Sequence, residues 1–395
     1  MSRLFAIVVL AWAAPFALAA LPPDALIQDA LRAMQANRFD DARRSVDEAL
    51  LRAPNFRLAH LIRGDLLAAR ARPLRALGDI AAKSKQALDD LRAEAIARAA
   101  AATSPPQDDQ LPRALLRLSP EQRHALVVDT TRSRLYVFAR DDERPRLVAD
   151  YYVSSGKNGA AKQREGDQKT PVGAYIVSRR VKDTELDDFY GSGAFPLNYP
   201  NAWDRLQRRN GHGIWLHGTP RDTYSRPPRA SDGCVVLANP ELQELAAYVD
   251  VGKTPVVIGA VIDWLPREDW LSERDALLSQ IEAWRSDWER LEFDKYAAHY
   301  AKSFGGSAAA QARWRSHKRG VFAGKTWSRV ELRNISALRH PGEEVAVVSF
   351  EQHYSSNNLT NRMHKRLYWI KEAGVWKIAL EGELRSPSPR KKGKT

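Results

Sequence analysis

The chain of 395 residues carries one cysteine, Cys234, in the run Ser231-Asp-Gly233-Cys234-Val-Val-Leu. Seventeen residues earlier, His217 closes the apolar run Gly213-Ile-Trp-Leu-His217 and is followed by Gly218. A thiol and an imidazole are the two groups that nucleophilic acyl transfer needs. The imidazole takes the thiol proton and the sulfur attacks a carbonyl carbon. An unassisted thiol titrates near about 8.5, so little of it is thiolate at neutral pH. The separation does not suit one helix face, so a returning chain must bring the two together. Gly233 permits a close backbone approach and leaves main-chain N–H groups to stabilise an oxyanion.

A lone cysteine is more often a small buried hydrophobe. Its company here, with His217, Gly218, Ser231 and Gly233 in register, favours catalysis. One cysteine excludes an intrachain disulfide and a multi-cysteine zinc or iron–sulfur site. The remaining histidines (His60, His124, His212, His299, His317, His340, His353 and His364) show no metal-ligand spacing, and His212 alone lies near the pair in sequence.

Elements that could position the pair follow from periodicity. The stretch Ala125–Asp129, Leu135–Phe138, Leu147–Val153, Gly173–Val177, Ile214–His217 and Pro255–Ile262 reads as strands, with a short helix over Leu242–Val249. This predicts a mostly-β domain over 123–264. Before it, 20–104 is rich in Ala, Leu and Arg with helical periodicity, and 105–122 opens with Pro-Pro and reads as a linker. Asn37 to Ala42, Ala49-Leu50, Pro54-Asn55 and Ala59 are spaced as in a tetratricopeptide helical hairpin, a candidate surface for a protein partner. After it, Ser272–Phe304 is amphipathic, with Trp284, Trp288, Tyr296 and Tyr300 on one face. Strand runs follow at Trp327–Leu332, Glu344–Phe350, Lys365–Ile370 and Trp376–Leu380. Region 270–384 is similar to the cone-shaped SnoaL/nuclear-transport-factor-like fold, through Trp284-x-x-x-Trp288, Tyr296 and Gly374-x-Trp376-Lys-Ile. Its aromatics are expected in a core. The whole is a multidomain α+β chain.

His217-Gly218 followed by Ser231-x-Gly233-Cys234 resembles the active-site signature of the YkuD-type L,D-transpeptidase catalytic domain. Val153-Ser-Ser-Gly156-Lys157 and Lys169-Thr170-Pro171-x-Gly173-x-Tyr175 match the substrate-side strand and turn of that family, and Phe195-Pro-Leu-Asn-Tyr199-Pro-Asn is similar to one branch of it. The resemblance implies attack by Cys234 on the diaminopimelate–D-Ala bond of peptidoglycan tetrapeptide stems, through a thioester. It makes His217 the base and acid, Gly233 and Cys234 oxyanion donors, and Ser231 a support for the histidine or the turn. Substrate contacts are expected at Gly218, Tyr199, Arg226 and Arg229. No metal or organic cofactor is required. Two positions depart from the pattern: Asp232 stands where His is frequent, and Val236 where Arg is frequent. Arg226 or Arg229 is expected to supply the missing cation. An amine acceptor gives transpeptidation and water gives carboxypeptidation, the alternative that these departures bring forward. A non-catalytic wall-binding scaffold is the third reading.

Composition sets the context. Arg3, the apolar run Leu4–Leu18 and Ala17-Leu-Ala19 read as an export signal over 1–19, too short for a membrane span of about 20 residues. This predicts a periplasmic protein with no transmembrane span after cleavage. The net charge is +13, from 61 Lys and Arg against 48 Asp and Glu. Much of the excess lies in Arg385–Thr395, expected to be a disordered basic tail. Charge gathered in a tail, in an exported chain, argues against nucleic-acid binding.

Overall fold

The computed structural model describes residues 21–79, 84–103, 106–107, 109–141 and 144–383. The expected export signal and the basic tail lie outside the described residues. Four helices come first among the described residues: α1 (Pro23–Gln35), α2 (Phe39–Arg52), α3 (Arg57–Ala68) and α4 (Lys85–Thr103). A hairpin alone would leave one apolar face wet. Here Leu26, Ile27 and Ala30 of α1 and Ala95 of α4 close over Val46, Ala49, Leu58 and Ile62 of α2 and α3. Tyr224 and Ala238, from the following domain, complete the same core.

The segment expected as a linker carries two strands, β1 (Gln110–Pro112) and β2 (Leu115–Arg117). They are paired far downstream, β1 with β14 (Trp264–Pro266) and β2 with the edge of the C-terminal sheet at β15 (Ser328–Arg339). Composition around the prolines signalled a break, but long-range ladder partners are invisible to local pattern.

The central domain is built on β3 (His124–Asp129), β4 (Arg134–Ala139), β5 (Arg146–Tyr152), β6 (Ser155–Gly156), β7 (Gly173–Ile176), β8 (Val181–Lys182), β9 (Gly193–Pro196), α5 (Ala202–Leu206), β10 (Trp215–His217), β11 (Arg229–Ser231), β12 (Val235–Val236), α6 (Asn239–Leu245) and β13 (Pro255–Gly259). Its larger sheet has the order β5-β4-β3-β13-β7, with β3 and β13 parallel. A second sheet runs β12-β10-β9-β8, and β6 pairs with β11. Because side chains alternate along a strand, Leu126, Val128, Leu135, Val137, Val256 and Ile258 face the domain's own core. Ala125, Val127, Tyr136, Phe138 and Val257 face Leu338, Val347 and Tyr368 of the C-terminal domain. The sheet is therefore covered on both sides, which explains why its strands read as continuous apolar runs.

The C-terminal domain comprises α7 (Arg267–Glu289), α8 (Phe293–Ala298), α9 (Ala308–Ala323), β15, β16 (Val345–Ser356), β17 (Thr360–Glu372) and β18 (Val375–Glu383). Its strands form one antiparallel sheet with β2 added at the edge. The long amphipathic pattern is two helices, broken where Leu291 takes a φ of +61°. Trp284, Tyr296 and Tyr300 are buried in the core with Trp270 and Trp369. Among the described residues, no helix is long and apolar enough to cross a membrane.

Charge is buried where the helices meet the central domain. Arg98 is ion-paired to Asp24 and, at 2.8 Å, to Glu94, while Asp24 also accepts from Arg134 at 2.9 Å. Burial works against the Asp24 carboxylate, but the two guanidinium groups outweigh it and hold its pKa below the usual value. At Glu241 of α6 the same two guanidinium groups only partly offset burial. Burial, then repulsion from Asp24, pushes its carboxyl up to about 8 from an ordinary 4.5. A raised carboxyl pKa means the folded state holds a proton that the unfolded chain has lost. Stability is then full below about 4.5 and declines as pH rises through about 8. Glu241→Gln is accordingly expected to raise Tm over the wild type at about pH 9 and to leave it unchanged at about pH 4. Thermal unfolding at both pH values checks this, and an equal shift at both overturns it.

Candidate active site

The pairing of β10 decides the site. It runs parallel to β12 in the register Leu216↔Val235 and His217↔Val236, and antiparallel to β9 on its other side. Leu216 and Val235 both turn into the core, so Trp215, His217 and Cys234 are turned to the opposite face. The thiol thus lies one strand across from the imidazole and on the same side of the sheet.

Each ring nitrogen of His217 has a defined part. Nδ1 is 2.7 Å from the carbonyl oxygen of Gly218. A carbonyl only accepts, so Nδ1 carries the hydrogen and Nε2 of the neutral ring keeps its lone pair. The ring is buried, with Tyr190 edge-on at 5.1 Å and Phe189 at 5.9 Å. That burial, with the Arg226 charge adding to it, depresses the pKa to about 4 against the opposing Gly218 bond. The thiol donates to the Gly213 carbonyl at 3.3 Å and receives the Trp215 N–H. Burial pushes it up to about 11, Asp232 adds to the rise, and Trp215, Arg226 and Lys162 offset part of it. The free site therefore rests as neutral thiol and neutral imidazole. Among the described residues, no cluster of His, Cys, Asp and Glu is gathered that would hold a metal ion.

Residues 123–258 match the family model of the L,D-transpeptidase catalytic domain, and residues 276–382 match that of the Cds6 C-terminal NTF2-like domain. Residues 123–258 are a YkuD-type domain. YafK of Escherichia coli (strain K12), which bears an L,D-transpeptidase name, is 28% identical over 116 residues, 29% of this chain. The chain spans 42% of the length of that curated relative. The structure of Bd1075 from Bdellovibrio bacteriovorus superposes with a TM-score of 0.62 at 29% identity, covering 72% of this chain and all 100% of that one. Pgp2 from Campylobacter jejuni, a helical cell shape determining protein, gives 0.57 at 25% identity over 70% of this chain and 95% of its own.

Within the YkuD-type domain the expected site residues separate. Ser231 supports the turn: its hydroxyl donates to the Cys234 carbonyl at 2.6 Å and accepts from Gly233 N at 3.1 Å. That last bond occupies the N–H expected to serve an oxyanion, so Gly233 contributes conformation instead. Its φ is +128°, and an added Cβ would lie 2.7 Å from the Lys169 carbonyl. Gly218 contributes its carbonyl to His217, and a Cβ there would strike Asn239 Oδ1 at 2.1 Å. Tyr199, expected at the substrate, is buried, and its hydroxyl donates to the Asn210 carbonyl at 2.8 Å. It braces the chain leading to Gly213. Arg226 does approach the site, stacked 4.4 Å over Phe189 and acting on both Cys234 and His217. Arg229 stands exposed on β11, opposite Ser155.

The departures from the family pattern also have a physical account. Asp232 is exposed and pairs with Lys157 at 2.9 Å and Gln168 at 3.0 Å, tying the Cys234 turn to the 157–169 loop. Val236 is buried on β12, a position where a cation would have no solvent.

Sequence reasoning missed Phe189, Tyr190, Trp215 and Asn239. Asn239 receives the N–H groups of Ser192 and Thr219 at 2.9 and 3.2 Å and so ties the chain just after His217 to the segment leading into β9. The aromatic pair before Gly191-Ser-Gly193 was the available signal. The neutral resting pair predicts that alkylation of Cys234 by iodoacetamide in the free protein keeps accelerating with pH towards about 11. A plateau reached below about pH 7, measured by intact mass, would show a preformed thiolate and overturn this assignment.

Proposed function

We propose that the chain is a periplasmic, peptidoglycan-modifying cysteine acyl-transferase acting on tetrapeptide stems. The observation that carries this is the Cys234–His217 arrangement, with Nδ1 anchored on Gly218 and Nε2 left to accept a proton, inside a YkuD-type domain. Likeness to Pgp2 supports a role in cell shape, and the Leu4–Leu18 run with its Ala17-Leu-Ala19 site supports export.

Because the resting thiol is protonated, attack and proton transfer belong to one step, as for a serine nucleophile. Sγ bonds to the carbonyl carbon of the diaminopimelate L-centre while its proton passes to Nε2 of His217. The Cys234 N–H lies beside the forming oxyanion. The tetrahedral centre then expels D-alanine, whose nitrogen takes the proton from Nε2, and a thioester remains. An acceptor amine bonds to the same carbon and the C–S bond breaks, giving a cross-link and restoring the thiol. Water in place of the amine gives a trimmed tripeptide. Arg226, beside both reacting groups, supplies a cation for the stem carboxylate.

Incubation with disaccharide-tetrapeptide and mass analysis of the products tests the reading. A dimer joined through two diaminopimelates identifies transpeptidation, and loss of one alanine alone identifies carboxypeptidation. Cys234→Ala is expected to abolish both products, and His217→Ala to slow them by about 10²–10⁴. Unmodified tetrapeptide with the wild-type chain refutes the proposal.

A further inference from the structure

The loop between β10 and β11 carries Arg226, and two different parts of the molecule hold it. Its first residues are fixed from within the catalytic domain by Asn239, whose Nδ2 donates to the Thr219 carbonyl at 2.8 Å. Its later residues are fixed from the N-terminal helices. Asn55 Nδ2 donates to the Arg221 carbonyl at 3.0 Å. The Phe56 and Tyr224 rings, both buried, meet at 4.4 Å between centroids. The Ser225 hydroxyl donates to Glu94 Oε1 at 2.6 Å, one residue before Arg226.

Glu94 is itself immobilised. It is 2% exposed and is bonded by Arg98 through Nε at 3.0 Å and Nη2 at 2.8 Å. Arg98, 1% exposed, also lies 5.0 Å over Phe56 and 3.9 Å over Tyr152. The Tyr152 hydroxyl in turn donates to the carbonyl of Arg226 itself at 3.0 Å. Arg98 therefore backs three of the contacts that fix the loop, and Asp24 and Arg134 anchor the cluster to α1 and β4. Withdrawing the loop would strip the buried Glu94 of a hydroxyl donor in a region that water does not reach, which is unfavourable.

We propose that helix α4 and the turn joining α2 to α3 serve as a positioning element for the active site. In this arrangement Glu94 and Ser225 are positioning residues that set the Arg226 guanidinium for a carboxylate of the substrate. The proposal rests on the acyl-transfer reading of Cys234 and His217, to which it adds a source of substrate recognition outside the catalytic domain. The helices contact neither Cys234 nor His217 in the described interactions, so their effect must travel through the loop. Binding should suffer while the reactivity of the thiol towards a small neutral reagent is retained.

The test uses the full chain with Ser225→Ala, Ser225→Thr and Glu94→Gln. Three quantities are read: KM and kcat for disaccharide-tetrapeptide, the alkylation rate of Cys234 with iodoacetamide, and amide hydrogen exchange across residues 219–230. Ser225→Ala is expected to raise KM about tenfold with kcat and alkylation within about twofold of wild type. Ser225→Thr, which keeps the hydroxyl, restores KM. Exchange rises over 219–230 in Ser225→Ala and Glu94→Gln, and not over β3 or β13. Unchanged exchange in that loop overturns the proposal, as does raised exchange with unchanged KM. Parallel losses in KM, kcat and alkylation also overturn it, since they mark general destabilisation. Absence of turnover by the wild type refutes the acyl-transfer reading instead. Exchange over 219–230 then still decides whether the helices hold the loop.

Discussion

The parallel pairing of β10 with β12 is the constraint on which the site depends. Because the two strands run the same way, the chain must leave the end of β10, travel round and re-enter beside its start. That return path is the loop bearing Arg226, followed by β11 and the Ser231–Cys234 turn. A slip of one residue in the register would exchange Leu216 and Val235 with their neighbours and carry the thiol into the core. The turn preceding Cys234 is accordingly closed from several directions. Ser231 binds both ends of it, Asp232 ties it to Lys157 and Gln168, and Gly233 admits the Lys169 carbonyl.

The larger sheet shows why the C-terminal domain is packed so closely. Strands β3, β4 and β13 present apolar side chains to both faces, and only one face is satisfied by the catalytic domain's own core. The C-terminal domain covers the other and reaches further: Glu343 accepts from Trp203 Nε1 at 3.0 Å and is ion-paired with Arg209. Arg209 precedes the Asn210–Gly213 segment whose last carbonyl receives the thiol. The N-terminal region meets the Arg226 loop through Phe56 on Tyr224 and Glu94 on Ser225. Each accessory domain thus touches a different loop of the site, and neither supplies a reacting group.

Electrostatics at the pair point to geometry as the source of reactivity. Burial disfavours both the thiolate and the imidazolium, so the ion pair does not form in the free site. Arg226 opposes the charging of His217 and favours that of Cys234, which moves the proton of neither at neutral pH. What the fold supplies is a fixed tautomer and a shared sheet face. On the proposed acyl-transfer reading, chemistry begins only when a carbonyl carbon is placed against the sulfur.

Much of this was legible in the chain. Cys234, His217 and the Ser231-x-Gly233 spacing made the pair a candidate site, because residue type and local spacing are properties of the sequence itself. Short apolar runs marked β3, β4 and β13, and the helical and C-terminal regions declared themselves by period and aromatic placement. Local pattern could not show that β1 and β2 belong to distant sheets, or that Leu291 breaks the long helix. Nor could it show that Tyr199 points into a core, that Gly233 has already given its N–H to Ser231, or that Arg226 stacks on Phe189 beside His217 while Arg229 stands exposed. The strand pairings depend on which segments meet across more than a hundred residues, as Glu94 and Ser225 do. Sequence singled out the candidate reacting groups because their chemistry is carried by single side chains. Only the tertiary structure decided their protonation, their orientation and what holds the loop above them, because burial and hydrogen-bond partners exist only once the chain has folded.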